Sequence, residues 1–148
     1  MNDEYYMDKA IEMAKRAYVE GEIPVGAVIV EKNIIIAEAY NKKDSEKNVT
    51  RHAEIIAIEE ASKKKGDWRL NDTVMYVTLE PCPMCASAIQ QARIGKVVYG
   101  CESNINVNKK IIHTIMQEPE YNHYVEISSG IKAEECSQLL KDFFKEKR

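Results

Sequence analysis

Apolar side chains recur along this chain with two different periods, and the switches between them mark its elements. Over residues 3–20, Met7, Ala10, Ile11, Ala14, Ala17 and Tyr18 fall at helical spacing, and Gly21 ends the run. Val25 to Val30 and Ile34 to Tyr40 flank Glu31-Lys32-Asn33 and read as a hairpin. A polar loop from Asn41 to Arg51 leads into a helix near His52 to Lys65, with Ile55, Ile56, Ile58 and Ala61 on its apolar side. Gly66-Asp67 breaks that helix, and Val74-Met75-Tyr76-Val77-Thr78 reads as a third strand. Pro83 suits the first turn of a further helix, because the N–H it lacks would have no helical partner there.

That helix is expected to run to about Arg93, followed by a fourth strand at Val97-Val98-Tyr99 and a fifth at Tyr124 to Ile127. Residues 133–146 form an amphipathic helix bearing Leu139, Leu140, Phe143 and Phe144. Between Glu102 and Gln117 the pattern is legible only as a short helix. Strands alternating with helices predict an α/β layer structure on a partly parallel sheet.

The chain has 148 residues, 45% of them hydrophobic, which fits one domain spanning 1–148 with a core of its own. No low-complexity stretch, repeat or linker divides it. The longest apolar run, Val25 to Val30, falls far short of the ~18 residues a membrane span needs. The N-terminus is acidic with no apolar run behind it, so no secretory signal and no membrane are expected, and the location is read as cytoplasmic. A net charge of −3 argues against a protein that blankets nucleic acid. Local basic clusters stand out nonetheless, at Lys42-Lys43, at Lys63-Lys64-Lys65 and in the last turn from Lys141 to Arg148.

Candidate chemistry is concentrated in two short segments, His52-Ala53-Glu54 and Pro81-Cys82-Pro83-Met84-Cys85. Cys82 and Cys85 are three apart at a helix start, so their sulfurs share a face. A helix N-terminus also favours the thiolate form that binds metal. One imidazole and two thiolates make a good Zn²⁺ set, and three protein ligands leave the fourth tetrahedral position for water. A structural zinc would need a fourth ligand, for which His113, His123, Cys101 and Cys136 are available. A redox reading of the two cysteines leaves His52 and Glu54 without a role.

Zn²⁺ with two thiolates and a neutral imidazole is formally neutral. It should therefore acidify water less than a tris-histidine site, which reaches about 7. Such a site needs a base beside it, and Glu54 is the candidate catalytic residue. Helical geometry alone does not bring it there, since positions i and i+2 point to different sides.

The pattern His52-x-Glu54…Pro81-Cys82-x-x-Cys85 resembles the signature of zinc nucleobase deaminases. Beyond the signature, the chain resembles the bacterial tRNA-specific adenosine deaminase family from Glu22-Ile23-Pro24-Val25-Gly26-Ala27-Val28 onward. The matching stretches include Tyr76 to Ala86, Ala92-Arg93-Ile94, Asn122-His123-x-Val125-Glu126 and Glu134-Glu135-Cys136. The resemblance implies a three-layer α/β/α sandwich of the cytidine-deaminase type with a five-stranded mixed sheet, working as a homodimer. It implies hydrolytic conversion of the wobble adenosine of a tRNA anticodon stem-loop to inosine. By the same resemblance Asn41 binds the target base and Phe144, beside Phe143, lies near the RNA.

The family's usual Gly-Ala-x-Asp-x-Lys-x-Gly-Ala-x-Gly-Ser gives way here to the segment from Gly100 to Ile111, and Asp-Pro-Thr-Ala before the histidine to Asn48-Val49-Thr50-Arg51. These departures keep a second substrate class in view, a free nucleobase or nucleoside of the guanine, cytosine or adenosine type.

Overall fold

The computed structural model describes residues 2–104 and 110–147. Helix α1, Asp3–Val19, starts where the Asn2 side chain accepts the Tyr5 N–H at 3.0 Å, which caps one of the free N-terminal donors. Its buried face carries Met7, Ala10, Ile11, Ala14 and Ala17, the residues picked out by their spacing. The helix lies directly on strand β1, Gly26–Glu31. Gly26 makes this possible, because a Cβ there would run into the Ala10 carbonyl and the Ala14 nitrogen.

Strand β2, Ile34–Tyr40, pairs antiparallel with β1. The turn is shorter than the three residues read from the sequence, since Glu31 already pairs with Ile34. Lys32 and Asn33 alone make it, at φ 51° and 64°, the left-handed pair that matches the twist of a two-residue hairpin. Further along, Ile29 faces Ala37 while Val30 faces Ile35, so Ile36 is an extra residue that bends β2.

Helix α2 spans Ala53–Lys65, β3 Thr73–Leu79, α3 Pro83–Gln91 and β4 Lys96–Cys101. Helix α4, Ile111–Gln117, is the short helix expected between 102 and 117; residues 105–109 of that stretch lie outside the described residues. Strand β5, Glu126–Ser129, begins two residues later than its apolar pattern suggests, because its ladder with β4 opens at Lys96 opposite Glu126. Helix α5, Ala133–Glu146, closes the chain.

The sheet order is β2-β1-β3-β4-β5. Strand β1 is antiparallel to both neighbours, whereas β3, β4 and β5 are parallel, joined by the crossover helices α3 and α4. Ala27, Ile29, Met75, Val77 and Val97 face α2, α3 and α4; Val28, Val30, Tyr76 and Val98 face α1 and α5. The result is the three-layer α/β/α arrangement with a mixed five-stranded sheet.

One expectation about α2 needs correcting. Its innermost residues are Ala53, Ala57 and Ala61, all fully buried, while Ile55, Ile56 and Ile58 sit half-buried on the flanks. Three alanines at four-residue intervals let the helix axis approach the sheet more closely than branched side chains would allow.

Candidate metal centre and active site

The chain puts three donor side chains at the starts of two helices on one face of the sheet. His52 is the N-cap of α2, with extended backbone (φ −73°, ψ 153°), and Cys82 is the N-cap of α3 (φ −74°, ψ 169°). Pro83 begins α3, which places Cys85 as its third helical residue, facing back toward Cys82. His52 Nδ1 lies 3.7 Å from Cys82 Sγ and 3.5 Å from Cys85 Sγ, and the three donor atoms fall within 4.8 Å of one another. Zinc bond lengths and a tetrahedral angle require about 3.6 Å between sulfur and nitrogen ligands. The residues present therefore fit a zinc ion without rearrangement.

Among the described residues this is the one such cluster, and it has three members. None of the four possible additional ligands joins it. Cys101 Sγ donates to the Thr78 carbonyl, Cys136 packs against Gly100, the His123 ring lies 2.7 Å from the Ile94 carbonyl, and His113 is exposed. The donor set is that of a catalytic site, with three protein ligands.

Metal-free, the two cysteines share protons unequally. The hydrogen bond from the Cys85 thiol, helped by His52, draws Cys82 down to about 4 against the effect of burial. Cys85, as the donor of that bond and fully buried, is pushed far above an ordinary thiol. His52 is raised by its hydrogen bond to Cys82 and by the charge of Glu54, against the effect of burial.

Glu54 is 4% exposed, and burial pushes its carboxyl up to about 7, with the Cys82 thiolate adding to the effect. Its own backbone N–H, the His52 charge and a hydrogen bond with Cys85 pull the other way. That last contact puts Glu54 beside the ligands. The sequence argument against residues 52 and 54 converging fails because His52 is not helical. As an extended N-cap it lies outside the helical spacing that separates positions i and i+2, and the charges of His52 and Glu54 act on each other.

Residues 1–101 match the profile of the cytidine and deoxycytidylate deaminase zinc-binding region. The chain belongs to that deaminase family. A tRNA-specific adenosine deaminase of Bacillus subtilis is 44% identical over 99% of this chain and 91% of its own length. One from Haemophilus influenzae is 42% identical over 99% of this chain and 85% of its own. Among solved structures, a deaminase from a study of A-to-I editing at the wobble position of transfer RNA superposes with a TM-score of 0.84. It is 34% identical, over 92% of this chain and 99% of that one. A guanine deaminase of Bacillus subtilis is 41% identical over 69% of this chain and 66% of its own, with a TM-score of 0.66.

In this family member the two expected substrate contacts are placed differently. Asn41 is 6% exposed at the end of β2; its Nδ2 donates to the Ile23 carbonyl at 3.3 Å and its Oδ1 accepts the Lys43 N–H at 3.1 Å. It therefore closes a turn with its side chain, keeping one amide hydrogen to offer. Phe144 is 45% exposed on α5, edge-on to Phe143, whereas Phe143 is buried against Tyr18.

Two buried acids escaped the sequence reading. Glu22, 1% exposed, accepts the N–H groups of Asp44 and Ser45 at 3.1 and 2.7 Å and so ties down the deaminase's loop ahead of His52. Glu80, 4% exposed, accepts the Ser103 N–H at 2.8 Å and holds the segment after β4 beside Pro81-Cys82. The only sequence signal was a nearby proline, directly after Glu80 at the end of β3 and two residues after Glu22 ahead of β1.

Proposed function

We propose that this protein converts adenosine to inosine at the wobble position of a tRNA anticodon stem-loop, releasing ammonia. The observation that carries the reading is the convergence of His52, Cys82 and Cys85 with a buried Glu54 against them, in a chain whose tRNA-deaminase relatives match it nearly end to end. Residues 1–148 act as a single zinc deaminase domain.

His52, Cys82 and Cys85 would hold the zinc, which when bound would supply Lewis acidity for the attack of a water on C6 of adenine. Glu54 takes the proton that the water gives up. It then gives that proton to the purine ring nitrogen, takes a second from the new C6 hydroxyl and passes it to the departing amine, so that the C–N bond breaks, ammonia leaves and the C6 carbonyl forms. One carboxylate can serve both roles because its affinity for a proton lies between those of the water it deprotonates and the amine it protonates. Asn41 offers its remaining amide hydrogen to the base. Phe144 offers an exposed ring on which a neighbouring anticodon base stacks. The enzyme works as a homodimer in the cytoplasm, where its tRNA is.

The likeness to a guanine deaminase supports a second reading, deamination of a free base or nucleoside. Sequencing of tRNA incubated with the protein, beside ammonia release from a panel of free bases and nucleosides, decides between them. Inosine at the wobble position is the expected result. Ammonia from free guanine with unmodified tRNA would overturn the first reading, and light scattering of the purified protein checks the dimer.

A further inference from the structure

Two lysines near the metal centre form no ion pair among the described residues, and nothing in the chemistry above uses them. Lys42 and Lys43 follow Asn41 directly at the end of β2. The Lys42 N–H donates to the Arg51 carbonyl at 3.0 Å, one residue before the ligand His52. The two lysines therefore sit at the closed base of the loop 42–51, whose far end leads into His52. The Lys43 N–H is held by Asn41, and its carbonyl accepts the Asn48 N–H at 3.1 Å. Glu22 pins the next two residues, and the Arg51 guanidinium ties the loop to α2 through Glu46 at 2.9 Å and Glu59 at 2.7 Å. The backbone carrying both lysines is thus fixed before any substrate arrives.

Both side chains are half-buried. The Lys42 ammonium lies over the Tyr40 ring, 5.0 Å from its centroid, and the Arg16 guanidinium lies over the same ring at 5.2 Å. The nearby acid, Glu20, accepts the Tyr40 hydroxyl. Lys43 is close enough to His52 and Glu22 for its charge to act on both. Among the described residues none of Arg16, Lys42 and Lys43 forms an ion pair, whereas Lys65, Arg51 and Lys132 each do. In a protein of net charge −3, Lys42 and Lys43 are adjacent, half-buried like charges without an ion pair, and they repel each other. An anion bound between them removes that repulsion.

We propose that Lys42 and Lys43 bind the phosphates flanking the target nucleotide, so that the pocket selects a base carried on a strand over a free base or nucleoside. The inference rests on the tRNA reading above and names the residues that enforce it. Ammonium groups on flexible stems suit this role, as point charges that reach phosphates of varying position.

The test is steady-state kinetics of zinc-loaded wild type, Lys42→Gln, Lys43→Gln, the double variant and Lys43→Arg on an anticodon stem-loop and on free adenosine. Each glutamine should raise the stem-loop KM about tenfold, the size of a lost charge-assisted hydrogen bond, with kcat and zinc content unchanged. Each should also flatten the dependence of log KM on log salt by about 0.7. Lys43→Arg should keep most of the affinity, turnover of free adenosine should not change, and Lys63→Gln, on the exposed end of α2, should behave as wild type. A double variant with wild-type KM and salt slope overturns the proposal while leaving the tRNA reading intact. So does an equal loss on stem-loop and adenosine. Wild-type enzyme inactive on the stem-loop overturns both together.

Discussion

The unequal sharing of protons between Cys82 and Cys85 can be counted. An ordinary thiol near 8.5 is only ~3% ionised at pH 7. Cys82, at about 4, is fully ionised there, while Cys85, Cys101 and Cys136 are all pushed upward, Cys136 to about 12. The metal-free protein should therefore carry one thiolate per chain, steady from about pH 5.5 to 8, and Cys82→Ser should abolish it. The ultraviolet thiolate band of the chelator-treated protein, referenced to the unfolded chain at alkaline pH, measures this number.

Zinc binding follows from the same asymmetry. Cys82 has no proton to lose at neutral pH and Cys85 has one, so the log of zinc affinity should rise by about one unit per pH unit between 8 and 9. Lowering the pH weakens the complex, because the proton returns to Cys85 first. Absorbance that climbs through pH 8–9 as two equivalent thiols, with none present at pH 7, would refute the hydrogen-bonded thiolate–thiol pair.

Glu54→Gln keeps the size and burial of the side chain but cannot accept a proton; it should retain zinc by elemental analysis and lose roughly 10²–10⁴-fold in turnover, measured as ammonia release. Gly26→Ala drives a Cβ into the α1 backbone and should cost about 1–3 kcal/mol, seen as a lower urea midpoint at unchanged slope. The two adjacent phenylalanines should separate cleanly. Phe143→Ala, at a buried site, should destabilise by about 3–5 kcal/mol. Phe144→Ala, at an exposed one, should change stability by less than about 0.5 kcal/mol and raise the stem-loop KM.

What could be read from the sequence was whatever depends on near neighbours. The strands and helices announced themselves because α1 repeats its apolar residues at helical spacing while β1 and β3 are short unbroken apolar runs. The ligand set was legible because a helix start brings residues 82 and 85 together without help from the rest of the fold. The reach of Glu54 was not, since it depends on the extended backbone of His52. The face of α2 was read correctly at Ala61 and in part at Ile56 and Ile58, which pack against the core, but its centre at Ala53 and Ala57 was missed because alanine carries little apolar signal. Strand β5 slipped by two residues because Tyr124 suits a strand in isolation, while the ladder is set by the pairing of Lys96 with Glu126. Glu22 and Glu80 were given no role from the sequence. Their backbone partners lie more than twenty positions away in the chain, so only folding reveals them.

The alanine column of α2 has a mechanical consequence. The helix is a stiff rod seated on three methyl groups, and its front end carries the imidazole. Ala61 lies about 12 Å along the axis from Ala53. A bulkier residue there would tip the rod like a wedge under one end of a beam. The ring at the other end would swing relative to sulfurs anchored on a separate helix. Metal grip is in this way tuned from the far side of the core, by residues that never touch the ion.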